Sequence, residues 1–289
     1  MKNQVKTITF LGAISVLLVV VGGSIGGGWL YFFLALALLM NVGAYFFSDS
    51  IVLRMSRARV LDEREAPALF RMVRDLTDRA GIPMPKVAVV PEQTPNAFAT
   101  GRSPSRAVVA VTEGLLRLVD ERELRGVIAH ELAHVANRDT LVASIAATGS
   151  AAIAYIANML QWGALLGGGS QSEDGEGHSA AGGLVLAILA PIAATMLQMG
   201  ISRSREYMAD EYAAKLTGDP EALASALLKL QGYGQQMVAR GARPEPVTTS
   251  LSIVNPLAGG GMFRLFASHP PIEDRVRVLR EMDVRASFA

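Results

Sequence analysis

The sequence predicts a mostly helical α+β chain, in which four transmembrane helices carry a divided cytoplasmic domain with a small sheet. Three observations lead there: long intervals without charge, basic residues gathered on one side of those intervals, and polar regions of mixed helical and strand periodicity. Of the 289 residues, 51% are apolar and only 18% charged, against about 25% charged in ordinary soluble domains. That composition excludes a disordered chain and argues against an ordinary cytosolic protein. A formal net charge of +1 gives no reason to expect a nucleic-acid partner. With no cysteine, there is no disulfide, thiolate metal site or cysteine nucleophile, so any metal must be held by His, Asp or Glu.

The charge-free intervals locate the spans. Residues 7–48 contain no Asp, Glu, Lys or Arg. About 20 apolar residues cross the hydrocarbon core as a helix, so this interval fits two spans, near 7–26 and 29–47, joined through the glycines around 23–28. Residues 140–172 and 177–202 are also free of these charges and fit one span each, near 142–165 and 181–200. A cleavable signal peptide over 1–26 is the lesser alternative: Lys2 and Lys6 precede the apolar run, but no Ala-x-Ala site follows and the run leads into another span. The last two intervals are rich in Ala and Gly, so buried core helices of a soluble enzyme are the alternative there.

Lys and Arg favour the cytoplasmic side of a membrane. Lys2 and Lys6 precede the first span, Arg54, Arg57 and Arg59 follow the second, Arg138 precedes the third, and Arg203 and Arg205 follow the fourth. The connections within each pair of spans lack Lys and Arg, and the second carries Glu173, Asp174 and Glu176. Both termini and both polar regions are therefore expected in the cytoplasm. The expected division is a transmembrane hairpin over 1–48, the first part of a cytoplasmic domain over 49–140, a second transmembrane hairpin over 141–202 and the second part of that domain over 203–289.

Within the polar regions, 62–80 has helical spacing and is stopped by Gly81-Ile82-Pro83. Lys86–Val90 and Arg106–Val111 read as short strands. Glu121–Asn137 reads as a helix with Asp120 as its N-cap, followed after the second hairpin by helices over 203–216, 220–232 and 271–282. No glycine-rich phosphate loop appears, so no nucleotide partner is expected.

The chemistry concentrates in His130-Glu131-Leu132-Ala133-His134. Side chains four apart share a helix face, so both imidazoles can bind one ion. Glu131, beside them, is placed to take a proton from an attacking water. Zinc suits neutral imidazole and makes water acidic enough to supply hydroxide near neutral pH. A catalytic zinc also needs a third protein ligand and an open position. His178 falls on the far side of the expected membrane, and His269 sits in Ser268-His-Pro-Pro271, where a loop is favoured. Glu206 is the better candidate, with Asp210 four residues on, where spacing permits it to orient an imidazole through its distal N–H. Alone, Glu-x-x-x-Asp is usually a solvated face; it gains weight beside the histidine motif.

Together these residues resemble the gluzincin metallopeptidases, and in particular the HtpX family of membrane-bound zinc metalloproteases. The resemblance covers nearly the whole chain, through the amino-terminal hairpin, Asn96-Ala-Phe-Ala-Thr-Gly101, Val111-Thr-Glu-Gly-Leu115, the histidine motif, the second hairpin and the late His-Pro-Pro. It implies a zincin-like metalloprotease domain, one Zn2+ per subunit on His130, His134 and Glu206, Glu131 as catalytic base, and Asp210 as the residue behind a ligand. It also implies that Asn96, Ala97 and Phe98 form an edge strand that pairs with extended substrate, although an ordinary strand with Phe98 in the core fits the periodicity equally well. His269, and less so Tyr207, are candidates to stabilise the oxyanion. Arg203 and Arg205 read most simply as membrane-flanking charges.

His134 lies six residues before position 140, and Glu206 three after Arg203, so at 1.5 Å per helical residue the metal should lie within roughly 10 Å of the bilayer surface. The expected partners are the lipid bilayer and exposed, unfolded or damaged segments of membrane proteins. The expected location is the bacterial cytoplasmic (inner) membrane, with a multi-pass chain and a cytoplasmic site. Quality control and stress response are what the resemblance implies. An intramembrane protease is a poor fit because Glu121, Arg122, Glu123 and Arg125 lead into the motif. A prenyl-protein-type peptidase usually has more spans, and a non-catalytic adaptor with a structural metal would close the site with four ligands.

Overall fold

The computed structural model describes residues 28–145, 203–240 and 270–282, with the single positions Gly12 and Ser15. The expected spans near 7–26 and 181–200, most of that near 142–165, and the candidate His269 lie outside the described residues.

Helix α1 (Trp29–Met55) covers the expected second span and continues past it. By the length and hydropathy of the described residues, no helix qualifies as long and apolar enough to cross a membrane. Residues 29–48 of α1 still carry no Asp, Glu, Lys or Arg, and Tyr31, Leu34, Leu38, Leu39, Phe46 and Phe47 are exposed.

Strand β1 (Arg59–Val60) is an element that the sequence periodicity does not announce. Helix α2 (Pro67–Ala80) begins with proline at its first turn and ends where Gly81 takes φ 64. There the Ile82 N–H reaches the Thr77 carbonyl at 3.2 Å, a glycine-dependent helix stop. Strands β2 (Lys86–Val90), β3 (Ala97–Thr100) and β4 (Val108–Thr112) follow. The sheet order is β1-β2-β4-β3, parallel only between β2 and β4. Of the two edge strands, β3 packs beside the histidine motif.

Helix α3 (Glu113–Leu118) leads to α4 (Glu121–Ala136), the motif helix. The Asp120 carboxylate accepts the Glu123 N–H at 2.8 Å, and Glu123 accepts the Asp120 N–H at 2.9 Å, a reciprocal cap that fixes where α4 starts. The helix does not run on towards the next expected span. It stops at Asn137, Arg138 takes φ 58, and a new helix, α5, covers 139–145 within the described residues. Beyond the charge-free interval that ends at residue 202 stand α6 (Arg203–Thr217), α7 (Pro220–Ala239) and α8 (Ile272–Glu281).

The sheet is covered on both faces. Val87, Ala97, Ala99, Val109 and Val111 join α2, α4, α6, α7 and α8 in the main core. On the other face Ala88, Val90, Phe98, Val108 and Ala110 pack with Val52 near the end of α1. The motif helix is therefore held between an edge strand and two later helices. Its approach to α7 is close: a Cβ at Gly126 would lie 2.9 Å from the Leu223 backbone nitrogen. Burying a helix of this kind against neighbours, more than intrinsic propensity, is what stabilises it.

Candidate active site

One turn of α4 separates His130 from His134, and their rings stand nearly perpendicular with centroids 4.9 Å apart. Helix α6 crosses beside α4 and brings Glu206 to both of them. Glu206 Oε2 lies 3.6 Å from His130 Nε2, and Oε1 lies 3.5 Å from His134 Nε2. One ligand atom from each of the three residues lies within 4.8 Å of the others. These separations are too long for hydrogen bonds. They match the roughly 3.3 Å between neighbouring ligand atoms of a tetrahedral site with metal–ligand bonds near 2.0–2.1 Å.

The opposite faces of the imidazoles are occupied by other groups. His130 Nδ1 lies 2.9 Å from Asp210 Oδ1, a short contact whose alignment falls short of a formed hydrogen bond. His134 Nδ1 lies 3.2 Å from Asp139 Oδ2. Carboxylates at both Nδ1 atoms leave both Nε2 atoms to face Glu206, the tautomeric arrangement a metal ligand needs. The donor set therefore fits a divalent ion with an open coordination position.

Asp210 is itself gripped. Arg275 on α8 donates from Nε to Asp210 Oδ2 at 2.8 Å and from Nη2 to Oδ1 at 2.7 Å, while its Nη1 lies 3.5 Å from Glu206 Oε2. Arg275, Asp210, Glu206 and His130 are all buried. Burial alone would raise the Asp210 carboxyl, but the Arg275 guanidinium outweighs it and holds the group below its ordinary range. Burial favours neutral His130, but the Asp210 and Glu206 carboxylates outweigh it and raise that imidazole to about 9. The site thus attracts positive charge, which a divalent cation supplies in place of a proton.

Glu131 points out of the same helix turn and is buried. Burial raises its pKa above the ordinary carboxylate range, opposed first by the charges of His130 and His134. A carboxylate shifted in that direction is a better proton acceptor near neutral pH than an exposed one.

The expected substrate strand is divided by the structure into backbone and side chain. Among the described residues β3 is an edge strand, paired only with β4. Its side chains are not offered outward: Asn96, Ala97 and Phe98 are buried, and the Phe98 ring belongs to the cluster under α1. Tyr207 is half-buried next to Glu206 on α6.

Two residues of the site escape sequence reasoning. Arg275 pairs with Asp210 across 65 positions, and no local pattern announces such a contact. Asp139 follows His134 by five residues, outside the helical repeat, and reaches it only because of the turn at Arg138. Arg205, read from sequence as a membrane-flanking charge, donates from Nη1 to Asp139 Oδ1 at 3.0 Å.

The chain is also similar to known proteins. Residues 63–283 match the family model described as Peptidase family M48. A protein described as Protease HtpX homolog from Syntrophobacter fumaroxidans is 52% identical over 285 residues, covering 98% of this chain and 100% of that protein. Counterparts of the same description from Pelotomaculum thermopropionicum and Paraburkholderia phytofirmans are 48% and 47% identical over 98% of this chain. A crystal structure of S. mikatae Ste24p is also similar, with 18% identity and a TM-score of 0.49, covering 96% of this chain and 65% of that one.

Proposed function

The chain belongs to peptidase family M48 and is an HtpX-family metalloprotease, and on that premise we propose that it is a zinc-dependent, membrane-integrated endopeptidase acting on exposed or unfolded segments of membrane proteins. The observation that carries the proposal is the convergence of His130, His134 and Glu206 within 4.8 Å, with Glu131 in the same helix turn.

His130, His134 and Glu206 would hold the ion, which supplies polarisation of the scissile carbonyl and a water acidic enough to attack it near pH 7. Glu131 accepts the proton of the attacking water and delivers it to the leaving amine. Asp210 and Arg275 keep His130 and Glu206 in place. The main chain of β3 pairs with extended substrate, giving binding largely independent of substrate sequence. His269, from the segment before α8, is our candidate for stabilising the oxyanion.

The same proposal places the protein in the bacterial inner membrane, with hairpins over 1–48 and 141–202 and the catalytic segments 49–140 and 203–289 on the cytoplasmic side. What supports it is the charge pattern of the sequence and the outward apolar side chains of α1, an exposed patch of the kind that marks a membrane or protein contact. With no phosphate-binding loop in the sequence, the substrate must already be unfolded where it is cut, which suits quality control of damaged membrane proteins.

The test is to reconstitute metal-stripped protein in lipid nanodiscs and add zinc in the presence of one unfolded segment, either free or anchored by a transmembrane helix. Zinc-restored cleavage with preference for the anchored version is expected. Equal cleavage of both would contradict the membrane-substrate part, and no zinc-restored cleavage of either would contradict the whole.

A further inference from the structure

We propose that Asp139 and Arg205 form a positioning pair for His134, so that the residues flanking the 141–202 segment together hold one of the proposed metal ligands. The inference rests on the metal-site reading above and extends it to residues outside the histidine motif.

The motif helix ends before it can support His134 from its own next turn. At Arg138 the backbone enters the left-handed region, φ 58, which a non-glycine residue adopts only at a steric cost. This turn brings Asp139 back beside the imidazole, at 3.2 Å from Nδ1. Asp139 is buried, and its other oxygen accepts from Arg205 at 3.0 Å. The Arg205 side chain is itself only 13% exposed, which fits a constrained partner better than a charge displayed to lipid headgroups. Arg205 belongs to α6, one residue before Glu206, so the pair also ties the helix of the third ligand to the helix after the first two.

Helix α5 braces the neighbouring strand as well. Thr140 Oγ1 donates to the Gly101 carbonyl at 2.7 Å, and the Ser144 and Thr100 hydroxyls meet at 2.7 Å. The strand end is sterically fixed there, because Gly101 has φ +127 and a Cβ on it would lie 2.6 Å from the Arg106 carbonyl oxygen. Residues 139–144 therefore touch both a metal ligand and the end of the edge strand. Asp139 stands just before the charge-free interval that begins at 140, and Arg205 follows the one that ends at 202. Displacing Asp139 relative to Arg205 would pull on His134 directly.

A carboxylate behind a metal-bound histidine sets the tautomer and ring orientation, and its loss typically lowers metal affinity about 10–100-fold. A lesser role for Asp139, an acidic residue favouring the start of α5, predicts lower stability with unchanged metal retention. The two differ in what metal measurements read.

The experiment compares full-length parent, Asp139→Asn, Arg205→Gln and Arg205→Lys in detergent. Zinc is titrated against a chelating dye, the cobalt-substituted visible spectrum is recorded, and thermal unfolding of the metal-free proteins is followed. Expected are about 10–100-fold weaker zinc retention and an altered cobalt spectrum in Asp139→Asn and Arg205→Gln, with partial recovery in Arg205→Lys, in proteins that still unfold cooperatively without metal. If Asp139→Asn does not fold, Arg205→Gln, which leaves the carboxylate in place, carries the test alone. Parent-like zinc retention and cobalt spectra in the folded variants would overturn this inference while leaving the proposed function standing. A parent that binds no zinc would overturn both.

Discussion

Arg275 holds Asp210 through two parallel hydrogen bonds, 2.8 and 2.7 Å long, in a fully buried pair. The guanidinium comes from the final described helix and the carboxylate from α6, 65 positions earlier. Through Asp210 the pair sets His130, and through its third nitrogen Arg275 also touches the Glu206 carboxylate. The proposed metal ligands are thus assembled on a charged scaffold that is complete only when α8 docks.

Removing one member of that pair leaves the other charged and unpaired in the interior. Arg275→Ala should destabilise the fold by about 3–5 kcal/mol, measured by denaturant unfolding of the metal-free protein. Arg275→Lys should recover only part of this, because an ammonium cannot make the two-pronged contact. Parent-like stability in Arg275→Ala would show that the pair is not formed.

The raised pKa of His130 has a definite sign. The folded value is about 9, above the ordinary value of about 6.5 for an unfolded histidine. The metal-free protein should therefore keep this contribution below about pH 6.5 and lose it as pH rises through 9. The same proton competes with metal, so binding should release protons and weaken as pH falls below about 9. Calorimetry in buffers of different ionisation enthalpy measures the protons released. None released at pH 7 would contradict a protonated His130 in the metal-free site.

Phe98 separates a packing role from substrate contact. Its ring is buried between the sheet and the end of α1, so Phe98→Ala should cost about 3–5 kcal/mol through the cavity it leaves. Phe98→Leu should retain KM for an unfolded substrate to within a few-fold. A tenfold or larger rise in KM with unchanged stability would instead assign the side chain to substrate.

Gly126 is required by a close approach. Gly126→Val would force side-chain atoms against the Leu223 backbone, and overpacking of that kind typically costs about 1–3 kcal/mol. Thermal unfolding and zinc retention should fall together, since α4 and α7 separate where the motif helix is braced. An unchanged unfolding temperature would mean that the helices can move apart without loss.

The parts of this architecture that depend on near neighbours along the chain are legible in the sequence itself. His130, Glu131 and His134 follow from a one-turn repeat, Asp120 from a capping pattern, and Glu206 with Asp210 from four-residue spacing. The strands over 86–90 and 106–111 also show in their valines, the second beginning two residues later than expected, at Val108. Asp139 and Arg275 are not legible, for different reasons. Asp139 needs a left-handed residue in an Asn-Arg turn, which sequence does not favour, and Arg275 needs helix docking across the chain. Arg205 misleads because a charge beside an apolar interval has an adequate explanation without tertiary contact. Phe98 satisfies both expectations in part, with an edge-strand backbone and a core side chain.

The most direct test of the central claim is zinc-restored cleavage of an unfolded protein by metal-stripped parent and by Glu131→Gln, with zinc bound by each measured in parallel. Both proteins should bind zinc comparably, because Glu131 is outside the set of His130, His134 and Glu206, and only the parent should cleave. Equal cleavage by both would show that Glu131 is not the base and would contradict the mechanism at its centre.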